Sequence, residues 1–101
     1  MYYNVLKLKD IISLDDSKYR KEDLLENGEG KLSIVALKKD EIIDTHTSIN
    51  DAAVYVLEGE IELHFEAQMF ELKKGEILMF KKDEHHKVLA NKDSKFLLIK
   101  I

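Results

Sequence analysis

Ala53-Val54-Tyr55-Val56-Leu57-Glu58-Gly59-Glu60-Ile61-Glu62-Leu63 is the stretch that decides the fold. A valine-rich run enters a Glu-Gly-Glu turn and leaves as an alternating segment. Ile61, Leu63 and Phe65 fall on one side, and Glu60, Glu62, His64 and Glu66 on the other. A period of two is the signature of a β-strand with one buried face. The run before the turn is apolar enough to be buried on both faces. His46 lies a few residues upstream, and the pair His85-His86 follows a second Gly-led strand. Histidines on two such strands can meet inside a small barrel.

Working outward, the same period continues. Strands are expected over Lys31–Leu37, Glu41–His46, Gln68–Leu72, Ile77–Phe80, His86–Leu89 and Lys95–Ile101. The segment 60–66 and the segment 68–72 should form a hairpin. Val5–Leu8 reads as a short first strand. Asp10–Glu26 reads as a polar arm with one helical turn, closed by the Asn27-Gly28-Glu29-Gly30 turn. Eight or nine short strands without a long helix predict an all-β sandwich or barrel. The expected organisation is an N-terminal arm and first strand over residues 1–30, packed on a barrel over residues 31–101.

Composition narrows the function. A chain of 101 residues is one domain. Its apolar fraction of 45% is that of an ordinary globular protein. A net charge of −4 gives no basic surplus for phosphates, so no nucleic-acid partner is expected. The chain has no cysteine, which removes disulfides, thiolate metal sites and a cysteine nucleophile. No apolar run approaches the roughly 18 residues of a membrane span. A soluble, cytoplasmic protein with no membrane partner is the expectation.

From about Leu37 to Ile101 the chain resembles the cupin family of small jelly-roll barrels. The resemblance rests on Val54-Tyr55-Val56-Leu57-Glu58-Gly59-Glu60, on Leu72-Lys73-Lys74-Gly75-Glu76-Ile77-Leu78-Met79-Phe80, and on His86. It implies a double-stranded β-helix, a ligand pocket inside it, and a homodimer joined through a sheet edge. In metal-binding members two histidines, a glutamate and a third histidine hold one metal ion. Here His46 and His86 fall on the first and third histidines. Ser48 stands in place of the second histidine and Ala52 in place of the glutamate.

Two readings follow. In the first, a degenerate metal site leaves a pocket for a small, anionic molecule, with His46, Ser48, Met79 and His86 on its wall. A neutral imidazole exchanges protons near its ordinary pKa of about 6.5, which suits such a wall. In the second, His46, His86 and a carboxylate outside the family pattern hold a divalent metal in a dioxygenase- or isomerase-type enzyme. Zinc, iron, nickel, copper and manganese all suit imidazole and carboxylate donors. Residues two apart share a strand face, so Asp44 is the first substitute ligand, with Asp51 and Glu84 behind it. His85 should point away from His86, and His64 should stand on an acidic outer face.

Overall fold

The computed structural model describes residues 3–44 and 49–101, and they form nine strands in two antiparallel sheets. The strands are β1 (Tyr19–Asn27), β2 (Gly30–Leu37), β3 (Ile42–Asp44), β4 (Ala52–Glu58), β5 (Glu60–Phe65), β6 (Met69–Lys73), β7 (Ile77–Phe80), β8 (His86–Ala90) and β9 (Ser94–Lys100). One sheet has the order β1-β2-β9-β4-β7 and the other β3-β8-β5-β6. This is the all-β jelly roll that the alternation predicts, and the β5–β6 hairpin forms with Ile61 opposite Leu72.

At each of the two glycine turns the chain changes sheets. β4 belongs to the first sheet and β5 to the second; β6 belongs to the second and β7 to the first. Gly59 has φ +85°, a conformation that side chains rarely adopt. A Cβ there would also stand 2.5 Å from the Asp93 carbonyl oxygen. Beside it the buried Ser94 hydroxyl accepts the Glu60 amide at 3.0 Å and donates to the Lys92 carbonyl at 2.7 Å. Gly75, at φ +88°, donates its amide to the Val56 carbonyl at 2.9 Å, tying the second turn to β4.

Two apolar clusters hold the fold. Between the sheets lie Val35, Leu37, Val54, Val56, Ile61, Leu63, Leu72, Val88, Ala90 and Phe96, all buried. Each such side chain contributes about 1.5–3 kcal/mol when it leaves water. The second cluster is on the outer face of the first sheet, where Ile12 packs on Ile34, Ala36 and Leu97, flanked by Leu8, Ile11, Leu14, Tyr55 and Leu57. The alternation of β4 thus divides between two cores, Val54 and Val56 inward and Tyr55 and Leu57 outward, as its apolar run suggests.

The N-terminal region corrects the sequence-based expectation in two places. Val5–Leu8 is not a strand; residues 3–7 carry no regular structure and Leu8–Asp10 form one 3-10 turn. Of its apolar residues Leu8 packs on the outer face of the first sheet, and Val5 and Leu6 are exposed. The segment expected to hold a helical turn instead contains β1, which runs antiparallel to β2 from Tyr19↔Leu37 to Asn27↔Gly30. The polar composition of β1 hid it, because an edge strand needs no continuous apolar face.

Candidate functional site

The site follows from strand register, since directly paired residues share a face. In β2, Val35 and Leu37 point into the space between the sheets, so Lys31 and Ser33 are in phase with them. Pairing carries that face outward to β1, where Tyr19 opposes Leu37, Lys21 opposes Val35 and Asp23 opposes Ser33. It carries the face inward to β9, where Phe96, Leu98 and Lys100 oppose Val35, Ser33 and Lys31. The next strand places Ala52 opposite Lys100 and Val54 opposite Leu98. Three lysines therefore share the inner face of the first sheet, at the end away from Gly59.

Across from them, His86 begins β8 in phase with the buried Val88 and Ala90. Its side is set by pairing with Phe65, and it is only 6% exposed. Tyr19, Lys21, Val35, Ile43, Val54, His86, Val88, Phe96, Leu98 and Lys100 line one cavity of about 110 Å³ between the sheets. At 10–15 Å³ for a water-sized sphere, that is space for about ten waters at most. The walls are apolar, and the polar groups gather on β1, β8 and the end of β9.

The environment sets the protonation of these groups. Burial pushes the His86 pKa below its ordinary value, opposed by the Glu84 carbonyl and aided by the neighbouring His85 and Lys100. That carbonyl accepts a hydrogen bond from Nδ1 at 3.2 Å, which places a ring proton there. Burial also lowers the Lys100 pKa, with Lys21 and Lys31 adding repulsion. Burial and the nearby Asp23 carboxylate raise the Tyr19 pKa, keeping the phenol protonated. Asp23 accepts the Ser33 hydroxyl at 2.7 Å and pairs with Lys31 at 3.4 Å. Its pKa is lowered first by the serine hydrogen bond, then by the lysines. Lys31 is thereby balanced, while Lys21 and Lys100 have no carboxylate at ion-pair distance among the described residues.

On its far side His86 meets aromatic rings. Its ring centroid is 4.7 Å from that of Phe80 and 5.9 Å from that of Phe65, which also packs edge-on against Phe70. The imidazole thus separates the lysine-rimmed cavity from an aromatic cluster.

The residues singled out from the sequence do not all meet here. His46 and Ser48 lie outside the described residues. Asp44 stands on the outer face of β3, 3.9 Å from Lys87, whereas His86 points inward from the strand beside it. Asp51 is engaged with the 81–82 turn, accepting the Lys82 amide at 2.9 Å and pairing with Lys81 at 3.5 Å. Glu84 touches His86 through its backbone carbonyl. Met79 is 73% exposed on the outer face of β7, and the inward residues of that strand are Leu78 and Phe80. His85 and His64 line an open groove on the outer face of the second sheet, where His64 Nε2 lies 2.8 Å from Glu62.

Among the described residues no three His, Asp or Glu side chains come together as a metal would require. The buried Ala52 carries only a methyl group at the position of the family's glutamate, opposite Lys100. An ammonium beside an imidazole repels a divalent ion. Among the described residues His86 alone stands at a position of the family's four ligands with a side chain that can bind a metal.

Sequence reading missed Tyr19, Lys21, Lys31 and Lys100. One of them carried a signal. In Lys95-Phe96-Leu97-Leu98-Ile99-Lys100, Lys100 is in phase with Phe96 and Leu98 in a strand apolar on both faces.

A family sequence pattern described as a cupin domain matches residues 33–101, and the chain belongs to that family. A conserved protein of unknown function from Streptococcus pyogenes superposes with a TM-score of 0.90 at 20% identity, over 100% of this chain and 89% of that one. A cupin superfamily protein from Desulfitobacterium hafniense gives 0.90 at 19%, over 100% and 93%. A cupin 2 conserved barrel domain protein from Leptotrichia buccalis gives 0.88 at 28%, over 95% of this chain and 47% of that one. A search of the curated proteins returns no match. No helix among the described residues is long and apolar enough to cross a membrane.

Proposed function

We propose that this cupin binds a small anionic molecule, a carboxylate with a short apolar body, in the cavity between its sheets. The observation that carries the reading is that Lys21, Lys100, Tyr19 and His86 line one otherwise apolar cavity. Pockets of this kind take an apolar body on their walls and orient its charge with a few placed polar groups. Lys21 supplies charge for a carboxylate, Lys100 an amine on the same cavity wall, and Tyr19 a hydroxyl donor. The ligand is small, about ten non-hydrogen atoms or fewer by the size of the cavity.

The metal-dependent alternative has His86 alone among the described residues, with Asp44 on the opposite face. The absence of cysteine supports a reducing compartment, so the cytosol is the proposed location. A homodimer is part of the proposal. Its support is the first sheet's outer face, where Leu25, Ile77, Met79 and Ile101 are exposed and β7 is an open edge.

The test is an amide chemical-shift titration with short monocarboxylates and their neutral amides. Carboxylates should shift resonances around Val54, His86 and Leu98, and Lys21→Met with Lys100→Met should abolish the shifts. Equal response to the amides, or full binding by the double variant, would overturn the reading.

A further inference from the structure

We propose that Lys100 is an amine nucleophile that forms an imine with a 2-oxo acid held in this cavity. The proposal rests on the anion-pocket reading and adds a covalent step to it. Its geometry is that of a lysine at the end of an apolar wall. Phe96 and Leu98 precede Lys100 on the same face of β9, Val54 and Ala52 flank it on β4, and all but Ala52 line the cavity with it. Aimed into such a space, a lysine is activated when burial and neighbouring cations disfavour its ammonium form.

The neighbours divide the work. Lys31 is held by Asp23 at 3.4 Å, so its charge is largely balanced. Lys21 shares the cavity and has no carboxylate at ion-pair distance among the described residues, which leaves it for the carboxylate of the substrate. Lys21 and Lys100 both line the cavity, so a ligand that carries a carboxylate and a keto group can meet both amines. A 2-oxo acid is therefore the carbonyl class this pair selects. Burial and both lysines lower the Lys100 pKa, so more of it is neutral near pH 7 than of a surface lysine.

The step balances without a cofactor. The neutral amine nitrogen attacks the keto carbon, and the carbonyl π electrons move to oxygen, which takes up a proton. The nitrogen gives up one proton, leaving a carbinolamine. Protonation of its hydroxyl releases water as the nitrogen lone pair forms the C=N bond of an iminium, which returns its N–H proton to the solvent to give the imine. Amine and ketone become imine and water, with no oxidation or reduction. Tyr19, a phenol protonated at neutral pH, is the hydroxyl donor on the wall.

The test is reductive trapping. The full chain is incubated with pyruvate, the simplest 2-oxo acid, then treated with sodium borohydride and mapped by peptide mass spectrometry. One reduced adduct should appear on Lys100, about tenfold or more above any surface lysine. Lys100→Arg should lose that adduct yet keep a native melting curve and the pyruvate-induced shifts at His86. Trapping spread evenly over the lysines, or unchanged in Lys100→Arg, would overturn the proposal. Pyruvate shifts without trapping would overturn the imine and leave the anion pocket standing. No shifts with any carboxylate would bring down both.

Discussion

The space between the two sheets has two unlike halves. Toward Gly59, Leu37, Val56, Ile61, Leu72 and Ala90 fill it completely, each at most 4% exposed. Toward Lys100 the sheets carry Lys21, Lys100, Tyr19 and His86 around a cavity of about 110 Å³, with Lys31 paired opposite Lys100 on β2. Strand direction and register are continuous from one half to the other, so the fold does not require the change. The filled half supplies the stability from which the other half can depart. Like charges brought together and unfilled volume both cost free energy, and here they are gathered at one end, the pattern expected where function competes with packing.

The largest test of that division is Leu63→Ala in the filled half. It removes a fully buried side chain and should cost about 2–5 kcal/mol, read as a lower midpoint in urea at unchanged slope. An unaltered midpoint would show that this half is not close-packed. Next is Gly59→Ala, which sets a methyl group against Asp93 and Ser94 at positive φ. A loss of about 1–3 kcal/mol is expected by the same measurement. Tolerance of alanine would mean that the turn between the sheets can shift.

In the cavity half the effects are smaller and depend on pH. His86 has a folded pKa below its ordinary 6.5. Between those two values the unfolded chain binds more protons than the folded one, so stability rises with pH through that window. Above about pH 6.5 no penalty remains, and as pH falls it grows until the folded pKa is passed. Replacing His86 with Phe should flatten this part of a melting-temperature profile. An identical profile in the variant would assign the dependence elsewhere. Lys100→Met should leave stability within about 0.5 kcal/mol or raise it, because it removes a charge the cavity disfavours. A large loss would make Lys100 structural. Smallest is Met79→Lys on the exposed face of β7, expected to leave the melting temperature unchanged. Light scattering should then report a monomer where the parent chain is a dimer; a monomeric parent, or a variant that stays dimeric, would remove β7 from the proposed interface.

Much of this architecture was legible in residue order. The alternation of Glu60–Phe65 and the turns at Gly59 and Gly75 imply the strands and the jelly roll, and His86 in phase with Val88 implies an inward imidazole. The N-terminal region was not legible. Tyr19–Asn27 is charged at five of its nine positions, and a segment like that becomes a strand only because β2 offers an edge to pair with. Met79 and Phe80 are adjacent, and only the register of β7 against β4 sends Phe80 to His86 and Met79 to the outside.

The sequence by itself therefore determined the fold class, the family and one polar residue of the cavity, because period, turn chemistry and strand spacing are local properties of the chain. Tertiary structure alone decided the site. Lys21, Lys31 and Lys100 are as far as 79 positions apart in the chain (100 minus 21), and they share a face only through the pairing of β1, β2 and β9. Register converts distant residues into neighbours, and register is set by the packing of whole sheets.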